Sequence, residues 1–297
     1  MFPLLAVPYK TFFRYIQLMK LVRKFPYLCG LAVIIFFWMV LGTLATLAVY
    51  PLFFRPGPPP QTAYFIFLHI NFLFLCGGTV LAVKRILKRS VREFITDRPR
   101  FSVSSSLHAA GFWMLAAGIF SVLLFSFRRP EVTLQFSPAA FFLFLPAALV
   151  LTPLQTFAEE MLFRAYLRRW IEHLRRAVNP WLTCILSGVA FVAAHGANPE
   201  FMQGDHLLVL ALYYFLFGAF LMAVVLRRGG IEHAFGIHLG NNLFTILIVN
   251  YEGSAVPSPS LWLLNRIDPP ASMALFLLTA AVYSYVFLRS KPSSYRL

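Results

Sequence analysis

Eight apolar runs dominate this chain, and nearly all of them are long enough to cross a lipid bilayer. The hydrocarbon core of a bilayer is about 30 Å thick, which a helix of about 20 residues can span. Because backbone N–H and C=O groups must be paired inside lipid, spanning segments of this length form helices. The sequence therefore predicts an all-α, polytopic membrane protein with about eight transmembrane helices. The runs lie at residues 27–54, 62–83, 107–127, 139–167, 181–197, 207–226, 231–250 and 271–288.

The composition supports the same fold class. The chain is 59% hydrophobic and 17% aromatic, and only 12% of its residues are charged, which lies outside the usual range of soluble proteins. In a soluble protein the formal net charge of +15 would suggest a nucleic-acid partner. Here the lysines and arginines lie in the loops between the runs, so we expect the lipid bilayer as a partner and no nucleic acid. The three cysteines lie inside apolar runs without disulfide or metal-site spacing.

The distribution of basic residues predicts the orientation in the membrane. If the N-terminus is cytoplasmic, the cytoplasmic segments carry 21 of the 26 lysines and arginines, and the external segments carry only four. Cytoplasmic loops of membrane proteins are enriched in lysine and arginine. With eight spans, both termini are then cytoplasmic. We expect an integral protein of the inner or plasma membrane.

Four parts follow one another along the chain. Residues 1–26 form a basic segment with the pattern of an amphipathic helix lying on an anionic leaflet, although a solvated flank of the first span explains it equally well. Residues 27–138 hold the N-terminal transmembrane helices. Residues 139–250 hold the helices in which polar side chains occur at depth. Residues 251–297 comprise an external loop and the last transmembrane helix.

Two adjacent carboxylates, Glu159 and Glu160, lie inside the fourth apolar run. A charged side chain at the centre of a membrane helix costs about 2.5–3.5 kcal/mol on insertion scales, so such residues require compensation or a function. Glu160 and Arg164 are spaced i and i+4, which allows an ion pair on one helix face. Glu159 is rotated by about 100° and remains the less neutralised carboxylate. A purely structural ion pair with a spare glutamate is the alternative.

Polar side chains at similar depth recur on two later helices. Phe191 and His195 are spaced i and i+4 on the fifth run, and His238 and Asn242 have the same spacing on the seventh. At about 1.5 Å per residue from the basic ends of these helices, Glu159, His238 and His195 lie about 14, 15 and 21 Å deep. A single buried histidine usually serves helix packing. Several such groups at one depth on three helices indicate a site.

Two more polar residues, His69 and Asn71, lie inside the second run. Neither belongs to a recognisable motif. Polar side chains of this kind commonly hydrogen-bond between transmembrane helices, and we expect that role for both.

The segment from Glu159 to Arg164 resembles the Glu-Glu-x-x-x-Arg motif of the CPBP intramembrane peptidases. These glutamic endopeptidases include CAAX prenyl proteases and the Abi-like bacteriocin-processing or immunity proteins. Phe191 to His195 resembles the Phe-x-x-x-His motif of that family, and His238 to Asn242 resembles its His-x-x-x-Asn motif. The three motifs occur in the order and spacing of the family. The resemblance covers approximately residues 139–250.

The resemblance implies an intramembrane endopeptidase that hydrolyses a peptide bond in a membrane-associated substrate with a glutamate-activated water. In that role Glu159 is the base, and His195 helps to hold the water or carry its proton. His238 and Asn242 donate hydrogen bonds to the oxyanion. Residues Glu160, Arg164 and Phe191 support the site. We expect the site to open to the cytoplasmic side and the substrate to be a membrane protein or a lipidated peptide. The sequence does not choose among prenylated tails, bacteriocin leaders and transmembrane segments.

Three alternatives stay open at this point. Two histidines and a glutamate can ligate zinc, but no His-Glu-x-x-His helix occurs, so we expect no cofactor and keep zinc as a weaker alternative. A non-hydrolytic membrane binding protein or bacteriocin-immunity protein of the same fold would use the cavity without catalysis. A proton or ion carrier built around Glu159 would need further intramembrane acids along a route, and the sequence offers none.

Overall fold

The computed structural model describes residues 20–53, 60–128, 131–174, 179–202 and 206–289. Most of the predicted basic N-terminal segment, residues 1–19, lies outside this part of the chain. Both termini lie outside it as well.

The helices follow the apolar runs closely, and the prediction of an all-α polytopic membrane protein is confirmed. Among the described residues, six helices are long and apolar enough to cross a membrane: α1 (Pro26–Phe53), α2 (Gln61–Ile86), α4 (Val103–Arg128), α5 (Pro138–Leu174), α8 (Leu207–Arg228) and α10 (Pro269–Leu288). The fifth and seventh runs form the shorter helices α6 and α9, each of 16 residues or about 24 Å. In order, the helices are α1 (Pro26–Phe53), α2 (Gln61–Ile86), α3 (Val91–Ile95), α4 (Val103–Arg128), α5 (Pro138–Leu174), α6 (Pro180–His195), α7 (Pro199–Met202), α8 (Leu207–Arg228), α9 (Glu232–Leu247) and α10 (Pro269–Leu288).

A small sheet, which the hydropathy pattern did not predict, joins three of the loops. Its strands are β1 (Val132–Leu134), β2 (Val249–Tyr251) and β3 (Trp262–Leu264). The central strand β3 pairs antiparallel with β1 and parallel with β2. The sheet therefore ties the segment after α9 to the connection between α4 and α5.

Helix α5 contains a π-helical segment directly after the paired glutamates. Residues Met161–Tyr166 form this segment, and all six are buried. A π turn holds one residue more than an α turn and occurs frequently at functional sites. Further π-helical segments, of seven residues in α1 and five each in α2 and α10, also occur in the described part of the chain.

Helix α9 lies at the centre of the helices that carry the polar motifs. Twelve of its 16 residues are buried, and it packs against α4, α5 and α8. Glycines permit these close approaches: a Cβ atom on Gly240 would lie 2.6 Å from the carbonyl oxygen of Ala110 on α4. Helices α6 and α8 cross in the same way, because a Cβ on Gly218 would lie 2.7 Å from the Cβ of Phe191. Gly218 and Gly240 thus have the packing role that small residues have at the interfaces of transmembrane helices.

An ion-pair cluster ties together the basic ends of the helices. Asp97, which follows α3, accepts hydrogen bonds from Arg168, at 2.6 Å, and from Arg169 of α5. Burial alone would raise the pKa of Asp97, but the two guanidinium groups together hold it below its ordinary value. Beside the cluster, Thr96 forms an isolated β-bridge with Gly230 at the start of α9. Helices α3, α5 and α9 are therefore connected at this end.

Candidate active site

The predicted ion pair between Glu160 and Arg164 is confirmed by the structure. Nη1 of Arg164 lies 3.2 Å from Oε1 of Glu160, and both side chains are fully buried. The guanidinium carbon lies 4.6 Å from the centroid of the Phe191 ring, in the geometry of a cation–π contact. The same ring also contacts the imidazoles of His195 and His238, at centroid distances of 4.2 and 5.7 Å. The Phe191 ring therefore contacts Arg164 of the ion pair on one side and both histidines on others.

His238 bridges the two glutamates. Its Nδ1 lies 2.8 Å from Oε1 of Glu160, and its Nε2 lies 3.6 Å from Oε2 of Glu159. Because a carboxylate paired with an arginine only accepts hydrogen bonds, Nδ1 carries a proton and donates a hydrogen bond to Glu160. That bond fixes the ring so that Nε2 is directed at Glu159.

The two oxygens of Glu159 have different surroundings. Oε1 accepts a hydrogen bond of 3.1 Å from the side-chain amide of Gln155, one turn earlier on α5. Oε2 is buried and has no hydrogen-bond partner among the described residues. The residue as a whole is only 4% exposed. One oxygen is thus held in place, and the other remains able to accept a proton.

His195 lies at the end of α6, where a backbone contact sets its tautomer. Its Nδ1 lies 2.7 Å from the carbonyl oxygen of Phe191. A carbonyl oxygen can only accept, so Nδ1 carries the proton and the neutral ring has its lone pair on Nε2. The imidazole stacks on Tyr214 of α8 at a centroid distance of 4.9 Å. His195 is therefore held by α6 and α8 in one orientation.

A cavity with a water-accessible volume of about 160 Å³ brings three of the predicted catalytic residues together. His195, His238 and Asn242 line it, and Glu159 contacts two of its lining residues, Gln155 and His238. A volume of this size holds several water molecules. The three motifs, far apart in sequence, therefore meet around one space.

Residues 254–256, which belong to the segment predicted to be an external loop, form part of the cavity wall. The remaining lining residues come mainly from the middle parts of α5, α8 and α9. The side of the membrane to which the site opens stays a prediction.

Comparisons with known proteins agree with this arrangement. The family model described as type II CAAX prenyl endopeptidase Rce1-like matches residues 138–244. The uncharacterized protein YyaK of Bacillus subtilis (strain 168) is 31% identical over 207 residues, which cover 68% of this chain and 67% of that protein. The chain belongs to the Rce1-like type II CAAX prenyl endopeptidase family. No solved structure is significantly similar to it.

Membership of the Rce1-like family implies a CAAX protease embedded in the membrane by its apolar helices. The matched residues include every predicted catalytic side chain and the supporting residues of α5 and α6. Helices α1 and α2 lie outside the match.

Sequence reasoning missed several polar residues around this Rce1-like site. Gln155 could have been found, because it lies four residues before Glu159 on the same helix face. His69 lies 3.0 Å from Oε1 of Gln155, so its contacts reach the site rather than a neighbouring helix alone. Glu200 of α7 lines the cavity, and its carboxylate accepts a hydrogen bond from the hydroxyl of Tyr251. No pattern in the sequence pointed to Glu200 or Tyr251, which lie in or near loops.

The zinc alternative has no geometric support within the described ranges. No three histidine, cysteine, aspartate or glutamate side chains converge there in a way that could hold a metal ion. One nitrogen of His238 is directed at Glu160, and Nδ1 of His195 at a backbone carbonyl.

Proposed function

We propose that this protein is an intramembrane endopeptidase that cleaves a peptide bond in a lipidated, membrane-bound peptide with a water molecule activated by Glu159. The single observation that carries this proposal is the free Oε2 of Glu159, buried 3.6 Å from Nε2 of His238 beside a cavity large enough for water. The family description supports prenylated C-terminal tails as the substrate class. The orientation with both termini in the cytoplasm is part of the proposal.

Peptide hydrolysis requires a base for the water, donors for the oxyanion and an acid for the leaving amine. Glu159 takes a proton from water on Oε2 while Gln155 holds Oε1. His195 presents Nε2 toward the cavity, where its lone pair accepts a hydrogen bond from the same water. The hydroxide attacks the scissile carbonyl carbon. Glu159 then delivers its proton to the leaving nitrogen.

The developing oxyanion needs preorganised hydrogen-bond donors. Nδ1 of His238 stays bonded to Glu160. The proton that Glu159 takes from water passes to Nε2 of His238, 3.6 Å away, and the imidazolium donates from Nε2 to the oxyanion until the proton returns to Glu159. The amide of Asn242, one turn further along α9, is the second donor at the cavity wall. Arg164 in turn pairs with Glu160, which gives the two glutamates separate roles.

The test is a cleavage assay in liposomes with a prenylated, fluorogenic C-terminal peptide. Glu159→Gln, His195→Ala and His238→Ala should each lower kcat at least about 100-fold, since each removes a proton-transfer or oxyanion group. Thermal unfolding checks that each variant remains folded. The matched control is His108→Ala, which removes an exposed histidine of α4 and should leave kcat unchanged.

Wild-type rates in all three variants would contradict the assigned roles. A wild type that binds the peptide but cleaves neither it nor any membrane protein would instead support a non-hydrolytic binding protein. Mass spectrometry of terminal peptides from membranes carrying wild type or Glu159→Gln measures such cleavage without a chosen substrate. If chelators abolish the activity and added zinc restores it, the protein is a zinc-dependent enzyme instead.

A further inference from the structure

A chain of hydrogen bonds connects helix α2 to the Glu159 carboxylate. His69 is buried on α2 with 1% of its surface exposed. Its Nδ1 lies 2.7 Å from the carbonyl oxygen of Phe65, and its Nε2 lies 3.0 Å from Oε1 of Gln155. The amide nitrogen of Gln155 then donates to Oε1 of Glu159 at 3.1 Å. Each contact has ordinary hydrogen-bond length.

The donors and acceptors in this chain imply a stored proton. The Phe65 carbonyl can only accept, so Nδ1 of His69 carries a proton. When the Gln155 NH₂ group faces the carboxylate, its oxygen faces Nε2, and His69 must donate there as an imidazolium. If the amide is reversed, His69 is neutral and Glu159 must donate as a carboxylic acid. In both arrangements, all three hydrogen bonds form only when His69 and Glu159 together carry one proton more than a neutral imidazole and a carboxylate.

The extra proton in this chain compensates the charge of Glu159. Glu160 and Arg164 form a buried pair that carries no net charge, so it leaves the second carboxylate uncompensated. On α9, His238 is 3.6 Å from Glu159 and already donates to Glu160.

The described residues of the other helices around the carboxylate include one further acid. Glu200 of α7 lines the cavity and accepts a hydrogen bond from Tyr251. His195 of α6 donates to a backbone carbonyl, and Tyr214 of α8 is a neutral phenol. Helix α1, which packs on α2, contains no charged residue. The extra proton, on His69 or on Glu159, makes the set of Glu159, Glu160, Arg164 and His69 electrically neutral.

We infer that His69, acting through Gln155, is a positioning residue that shares this proton with Glu159 and anchors its Oε1, which leaves Oε2 to accept the proton of water. The inference rests on the proposed function of Glu159 as the base. His69 lies outside residues 138–244, the part matched by the family model. Helix α2 thereby takes part in the site.

The decisive variant is His69→Gln, which retains a hydrogen-bonding side chain but cannot become a cation. At neutral pH it should lower kcat at least about tenfold and leave KM within about twofold. The acid limb of the kcat profile should move to higher pH, because the chain can then hold its extra proton only on Glu159. Gln155→Met should have the same effects, and the double variant should lose no more than either single variant.

The matched control is Thr79→Val, another buried polar residue of α2. The Thr79 hydroxyl donates to the Leu75 carbonyl at 2.7 Å and is not part of the chain. Its removal should leave kcat and the pH profile unchanged. Wild-type kcat and an unchanged pH profile in His69→Gln would overturn the inference and assign His69 to helix packing.

Difference infrared spectroscopy provides a readout that needs no substrate. Subtracting the spectrum of Glu159→Gln isolates the Glu159 band, whose frequency distinguishes carboxylate from carboxylic acid. In His69→Gln the carboxylate band should appear at higher pH than in wild type, and coincident curves would overturn the inference even if activity falls. If the wild type cleaves nothing, the proposed function fails, while the infrared curves still decide whether His69 controls the charge of Glu159.

Discussion

Replacing Arg164 with methionine tests the buried charges directly. The substitution keeps a long apolar stem but leaves the Glu160 carboxylate fully buried, with the His238 Nδ1–H as its remaining partner among the described residues. At the observed 3.2 Å, two unit charges attract by about 5 kcal/mol at an effective dielectric constant of 20. Removal of one partner from a buried pair typically costs about 3–5 kcal/mol. We expect a loss of that size, a large part of the stability of an ordinary protein.

The measurement is the free energy of unfolding in mixed micelles, titrated with a denaturing detergent. Arg289→Met is the control, because Arg289 is exposed and its removal should change stability by no more than about 0.5 kcal/mol. The double variant Glu160→Gln with Arg164→Met removes both charges and should recover at least about half of the loss. A double variant as unstable as Arg164→Met alone would refute the reasoning, because the buried carboxylate would then not be the cause.

Gly218→Ala should lower the free energy of unfolding by about 1–3 kcal/mol, because the new Cβ would lie 2.7 Å from a side chain of α6. Gly77→Ala is the control, because its new Cβ would meet nothing within 4 Å, and equal melting temperatures of the two variants would contradict the prediction. Asp97→Asn should destabilise the protein at neutral pH. Two arginines hold the folded-state pKa of Asp97 below its ordinary value of 3.8, so the stabilisation is present above that value and is lost as pH falls. If the stability difference between wild type and Asp97→Asn stays the same from pH 7 to pH 2, the ion pairs of Asp97 are not its cause. Fluorescent-protein fusions in the loop 84–100 should fold on the cytoplasmic side and those at residues 257–259 should not, and the reverse pattern would overturn the proposed orientation.

The helices and the three motifs could be predicted because their signals are local. Apolar runs mark spanning helices by length alone. The ion pair of Glu160 with Arg164 follows from a spacing of four residues on one helix. The run predicted at 181–197 coincides with α6, which begins at Pro180 because the Asn179 side chain caps it by accepting hydrogen bonds from two backbone N–H groups.

The remaining features depend on contacts between distant segments. The bond between His69 and Gln155 joins residues 86 positions apart and exists only because α2 packs on α5. The strands of the small sheet have three residues each, too few for a periodic pattern, and one lies in a proline-rich loop. Hydropathy contains no information on any of these.

The π-helical segment at residues 161–166 has a consequence for the register of helix α5. A π bulge is an α-helix with one residue inserted, so the α-helical stretches on either side would keep their relative phase if one residue were deleted there. Such a deletion would leave the outer faces of α5 aligned with their neighbours. A deletion among residues 161–163 would, however, move Arg164 from the fourth to the third position after Glu160 and so change the geometry of the ion pair. The geometry of the charged pair and the alignment of the outer faces of α5 can therefore change independently of each other.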